Sequence, residues 1–177
     1  TSLEDLRAVG KQRRLRYGSA GIGTVAHLAG AQFAHDLGVE ADHIPYRGAI
    51  QALTDLVGGE VDFMFELLVG SSPLLSDGRL RAVAVAADSR LAQVEQVPTL
   101  AELGQPLVFS SWFGVVAPSN ASEQDIAAMQ AALALAMEGD GMRSELAGKG
   151  MVVDLRAGLD FENFIQAFVK KVIGVRT

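Results

Sequence analysis

A glycine-rich segment, residues 18–24 (GSAGIGT), separates a strand-like run at 15–17 (LRY) from a helical run at 25–37. That order restricts the fold more than any other feature of the chain. A strand that turns through glycines directly into a helix is the opening of an α/β layer. The same turn makes a ready anion site. Its glycines let backbone N–H groups converge, and the unpaired N–H groups of the first helical turn carry partial positive charge.

The pattern continues along the chain. Residues 1–12 predict a short helix with Ser2 as N-cap and Glu4 and Asp5 in its first turn. In the helix after the loop, Val25, Ala29, Phe33 and Leu37 form one stripe, and Gly38 is its C-cap. Residues 43–46 predict a short strand, with Pro45 marking an edge or an end. A helix over 49–57, stopping at Gly58 and Gly59, precedes an apolar strand at 61–65. Asp62 interrupts that strand, where it is expected to meet a backbone donor. A helix at 67–75 and a buried strand at 81–87 complete a strand–helix alternation that predicts a mostly parallel sheet. Ligands of such sheets sit at the carboxyl ends of the strands, where 18–24, 46–48 and Glu66 fall. Further on, the pattern predicts a short helix at 98–104 and strands at 113–117 and 151–154. It also predicts helices beginning after Ser122, at 142–147 and at 159–173, the last burying Phe161, Phe164, Ile165, Phe168 and Val172.

Composition excludes several classes. The chain has 177 residues, 49% of them hydrophobic, and no cysteine, so disulfides and thiolate metal sites are absent. A net charge of −6 argues against nucleic acid as the main partner. The one basic cluster, Lys11, Arg13, Arg14 and Arg16, reads as a solvated surface. No apolar run reaches the ~18 residues of a membrane span.

Physics alone leaves several readings of the loop open. A P-loop needs a lysine where Thr24 stands. A dinucleotide fold nearly fits, but Ala20 places a Cβ where a pyrophosphate must approach, and the next strand ends Pro45-Tyr46-Arg47 rather than in an acid. Arg47 would suit a 2′-phosphate, which keeps an NADP-linked oxidoreductase as the rival reading. A carboxylate needs only a few convergent donors, to which the Ser19 and Thr24 hydroxyls would add. The bland reading is a tight turn made for packing. His27 and His35 lie two helical turns apart, not at metal-pair spacing, so no metal is expected. Ser19 and His27 lack the elbow of a hydrolase nucleophile, so no catalytic residue is assigned. Trp112 reads as a packing residue.

Seven stretches carry a resemblance. They are 17–28 (YGSAGIGTVAHL), 44–48 (IPYRG) with 52–56 (ALTDL), 58–65 (GGEVDFMF), 78–85 (GRLRAVAV), 97–104 (VPTLAELG) and 111–118 (SWFGVVAP). In this order they resemble the periplasmic solute receptors of the tripartite tricarboxylate transporter family, also called Bug proteins. The resemblance implies a type II periplasmic binding protein-like α/β fold, in which two domains close on a small carboxylate. It implies no enzyme activity and no cofactor. The partners it implies are a carboxylate ligand and membrane transporter subunits, met in the periplasm. Carried over by position, Ser19, Ala20, Gly21, Gly23 and Thr24 form the second domain's ligand loop. His27 falls in the first turn of the following helix, and Tyr46, Arg47 and Gly48 in a Pro-Tyr-Lys-Gly turn, with Arg47 replacing lysine. Glu66 stands where Asp is common. The match begins at the helix after the family's first interdomain crossing. The expectation is therefore a receptor truncated at its N-terminus: residues 1–110 a complete α/β domain, 111–177 the returning C-terminal part of the other. The unpartnered C-terminal helices predict self-association or a domain swap. A chain lacking half the cleft is further expected to risk binding nothing.

Overall fold

The computed structural model describes residues 2–173, with side chains to residue 170. They form two compact units, residues 2–111 and Trp112–Ile173. The first opens with α1 (Leu3–Gly10), capped as expected by Ser2. The Asp5 N–H donates to Ser2 Oγ, and the Asp5 carboxylate accepts from the Ser2 N–H. Then follow β1 (Leu15–Ser19), α2 (Val25–Leu37), β2 (Ala41–Pro45), α3 (Ala49–Gly58), β3 (Phe63–Met64) and α4 (Leu68–Ser76).

The sheet is parallel, with strand order β2-β1-β3, so the glycine loop leaves the central strand and Pro45 ends an edge strand. Leu15, Tyr17, Phe33, Leu37, Phe63, Leu100 and Leu107 lie in its core. Gly30 on α2 is required there: a Cβ would stand 2.4 Å from the Tyr17 ring, so only glycine lets the helix approach β1. Asp62 meets the expected backbone donor, the Arg16 N–H, at 2.7 Å, and its carboxylate also accepts from both terminal guanidinium nitrogens of Arg13. Arg14 pairs with Glu40 and Asp42, and Arg16 with Glu60. Three of the four cations in the basic cluster are thus matched by acids.

The later elements correct the sequence expectation. β3 is two residues long, not five. No strand forms at 81–87; Val85 makes one parallel bridge to Thr99, and the segment stays half-buried. The helix expected at 98–104 is a set of turns. Thr99 and Glu102 exchange the reciprocal bonds of a capping box, but Gly104 turns left-handed (φ 76°) and Pro106 follows, which ends the helix after its nucleus. Segments 113–117 and 151–154 form no strand and no regular element among the described residues.

The second unit holds α5 (Glu123–Glu138, capped by Ser122), α6 (Asp140–Gly148) and α7 (Gly158–Ile173). Trp112 packs edge-on against Phe161, Phe164 and Phe168 of α7, with centroids 5.6 to 5.8 Å apart. Even so, no described residue of this unit is buried, against the expectation for α7, whose aromatic stripe is only half-covered. Val172, also expected to be buried, lies outside the described side chains.

Candidate functional site

The loop is shaped by two glycines and two hydroxyls. Gly21 (φ 137°) and Gly23 (φ 80°) adopt backbone conformations that a side chain strains. Ser19, at the end of β1, is 0% exposed. Its Oγ accepts the Gly21 N–H at 3.1 Å and lies 2.7 Å from His43 Nε2 and 3.0 Å from the Gly21 carbonyl. Thr24 is the N-cap of α2. Its hydroxyl donates to the Gly21 carbonyl at 2.8 Å and accepts the His27 N–H at 3.3 Å. The two hydroxyls expected to serve a ligand are thus engaged in holding the loop. What remains for an anion is backbone. The N–H groups of Ile22, Val25 and Ala26 have no acceptor among the described residues, and the last two belong to the first turn of α2. Ala20 and Ile22 flank Gly21, and Ile22 is 78% exposed.

The neighbouring turn is braced in the same manner. The Tyr46 N–H donates to the Ser19 carbonyl at 3.0 Å, joining the two loops. Its ring covers Gly18, where a Cβ would stand 3.5 Å from Cε2. Its hydroxyl donates to Asp55 Oδ2 on α3 at 2.7 Å. Burial, then the Asp55 bond, pushes the phenol up to about 12. Tyr46 is therefore a strut. Gly48 is the N-cap of α3, which no side chain caps, and the adjacent Arg47 is exposed and forms no ion pair among the described residues. Glu66 turns towards α4: a Cβ on Gly70 would stand 2.8 Å from its Oε1. Burial holds its carboxyl above the usual range.

Behind the loop the structure brings together two histidines. The rings of His27 on α2 and His43 on β2 stack with centroids 4.0 Å apart, and Tyr17 lies 5.0 Å from His43. The Gly23 N–H donates to His27 Nδ1 at 3.2 Å. Burial lowers both imidazoles, and His43 is lowered further by His27. His43 was missed from sequence because it reads there only as the first residue of a short strand. The signal lies in the register, which pairs His43 with Tyr17 across the parallel ladder. His35 is apart from both and contacts Asp36. Among the described residues, no three His, Cys, Asp or Glu side chains gather to hold a metal ion.

Comparison with known proteins adds family context. The family model described as "Tripartite tricarboxylate transporter family receptor" matches residues 2–175. The structure of Rhodopseudomonas palustris Rpa4515 with adipate is 30% identical, with a TM-score of 0.90 over 99% of this chain and 60% of that one. MatC (Rpa3494) from the same organism, with bound malate, is 28% identical, with a TM-score of 0.89 over 99% and 62%. The periplasmic binding protein BugD is 27% identical, with a TM-score of 0.76 over 97% and 58%. Over the part it spans, the chain has the α/β fold of these binding proteins. It covers about half the length of curated relatives such as one from Cupriavidus necator (32% identity; 89% of this chain, 48% of the relative). Nothing in these matches supports a dinucleotide-linked oxidoreductase.

Proposed function

The chain belongs to the tripartite tricarboxylate transporter receptor family, and on that premise we propose that it captures a small carboxylate outside the cytoplasmic membrane for membrane-embedded transporter subunits. It binds without turnover. The observation that carries this reading is the set of unengaged N–H groups, Ile22, Val25 and Ala26, at the positive end of α2. Adipate and malate in two structural relatives supply the ligand class, a dicarboxylate. A carboxylate accepts several N–H bonds at once without a lysine or a metal, which is what this loop offers.

The residues divide by role. Gly21 and Gly23 bend the backbone so that its donors face outward. Ser19 and Thr24 hold that bend, and Tyr46 fixes the neighbouring turn to it. Ala20 leaves the surface of the turn small, and Gly48 begins α3 beside it. Arg47 supplies the unpaired cation nearest in sequence to these turns and draws an anion in by long-range attraction. Residues 1–110 act as the α/β domain that carries the ligand loop, and 111–177 as the returning C-terminal part of the other.

Thermal-shift screening tests the reading. Adipate, malate, tricarboxylates and amino acids are titrated against the chain. A ligand at a hundred times its dissociation constant stabilises by about 2.7 kcal/mol, which raises the melting temperature by several degrees. A shift with NADPH and none with any carboxylate contradicts the proposal. So does a flat response to all of them, which would mean that this chain alone binds nothing.

A further inference from the structure

We propose that His27 is a proton-linked latch on the anion loop: its unprotonated Nδ1 holds the Gly23 N–H, and protonation frees that donor for a carboxylate while placing a positive charge beside it. The inference rests on the carboxylate reading of the loop and concerns its regulation.

The geometry carries the argument. Gly23 N–H reaches His27 Nδ1 at 3.2 Å, and in that bond the ring nitrogen is the acceptor. An imidazole nitrogen accepts only through a free lone pair; in the imidazolium both nitrogens are donors. The bond therefore exists only while Nδ1 is bare. The loop then closes on itself, with a ring nitrogen standing in for the anion. A proton on Nδ1 breaks the bond and leaves two N–H donors, Gly23 and the ring, where one bond had been.

The ring is held in place for this role. His43 stacks on it at 4.0 Å, Tyr17 backs His43 at 5.0 Å, and His43 Nε2 lies 2.7 Å from the buried Ser19 hydroxyl. Both ends of the loop, Ser19 and Gly23, thus each touch one member of the same imidazole pair. Two rings at that separation repel when both are charged, so the pair takes up one proton.

The surroundings fix the direction of the effect. From β1 the pair faces Tyr17, whose phenol burial keeps neutral, and Ser19, and β2 contributes His43 itself. On α2, His35 is engaged with Asp36, and beyond β3 Glu66 is turned to Gly70. No described carboxylate contacts either imidazole. Burial lowers both rings in the free protein. A bound carboxylate is the charge that raises His27. Affinity is therefore highest below the free-state value and falls as the pH rises through the bound-state value.

The test compares wild type, H27N and H27Q by calorimetry with adipate and malate from pH 5.5 to 8. Asn places Oδ1 where Nδ1 sits and keeps the Gly23 bond without titrating. Dividing wild-type affinity by H27N affinity at each pH removes the ligand's own titration. One unit of His27 shift on binding makes this ratio roughly five- to sevenfold larger at pH 5.5 than at pH 8, short of the tenfold limit that is approached only well below the free-state value. In the ligand-free protein, the Gly23 amide resonance follows the His27 ring with one midpoint. H27Q, which lacks an acceptor at the Nδ1 position, loses the latch at every pH. A ratio that stays constant with pH, or a Gly23 amide blind to the His27 titration, overturns the latch while leaving the receptor reading intact. Absence of binding by wild type at every pH overturns the receptor reading itself.

Discussion

Ser19 shows how a residue type is recognised in sequence while its task is not. A serine beside glycines at a helix mouth reads as a ligand donor, yet here the hydroxyl is fully buried and serves Gly21 and His43. Ser19→Ala would strand the Gly21 N–H and leave the buried side of His43 unpaired. An unsatisfied buried group costs about 1–3 kcal/mol, so we expect a lower melting temperature and weakened carboxylate binding together. Gly23 separates the two effects. The space around its Cα is empty, but its φ of 80° strains any side chain. Gly23→Ala is expected to cost about 1–2 kcal/mol by strain, with the loss of ligand affinity exceeding the loss of stability. Calorimetric titration beside thermal melts reads both. The glycines were legible from sequence because their function is backbone shape. The Ser19 bond to His43 was not legible because His43 arrives from β2, while Thr24 bonds within its own turn, to the Gly21 carbonyl and the His27 N–H.

At the scale of elements, legibility follows the source of stability. The helices carry their own caps and stripes: Ser2, Gly38 and Ser122 mark ends that the structure reproduces. Strands depend on neighbours, and three of those expected here form no ladder among the described residues, the segment at 81–87 making only the single bridge of Val85 to Thr99. Phe33 on α2 illustrates a long-range dependency, packing edge-on against Phe63 and Phe65 from β3 and its continuation. Phe33→Ala is expected to destabilise by about 3–5 kcal/mol, measured by denaturant melts. Asp62 ties β3 to the start of β1 and gives a pH signature. Its bond to Arg13 holds the carboxyl below the usual aspartate range. A lowered folded value means that its contribution is complete above ~pH 4 and lost as the pH falls through the folded value. The melting curves of wild type and Asp62→Asn should therefore differ at neutral pH and converge on acidification; curves that stay parallel would show that the ion pair contributes nothing.

Across the whole molecule, the second unit lacks what the first has. Its residues Phe113, Val116 and Val152 are at least 80% exposed, and none of its described residues is buried. Its solved relatives are longer, with this chain covering 58 to 62% of BugD and MatC. Exposed apolar surface on this scale seeks a partner, so sedimentation is expected to show self-association; a monodisperse monomer would refute that. The family was legible in sequence because its motifs mark turns and caps along much of the chain. The histidine pair was not, since His27 and His43 meet only when β2 is set in register beside β1. The most direct test of carboxylate capture is an amide-resolved titration of the chain with adipate. Binding at the loop requires that the Ile22, Val25 and Ala26 amides shift together and saturate with one affinity. If those three stay fixed while adipate is added to saturation, or if shifts cluster elsewhere, the loop is not the anion site.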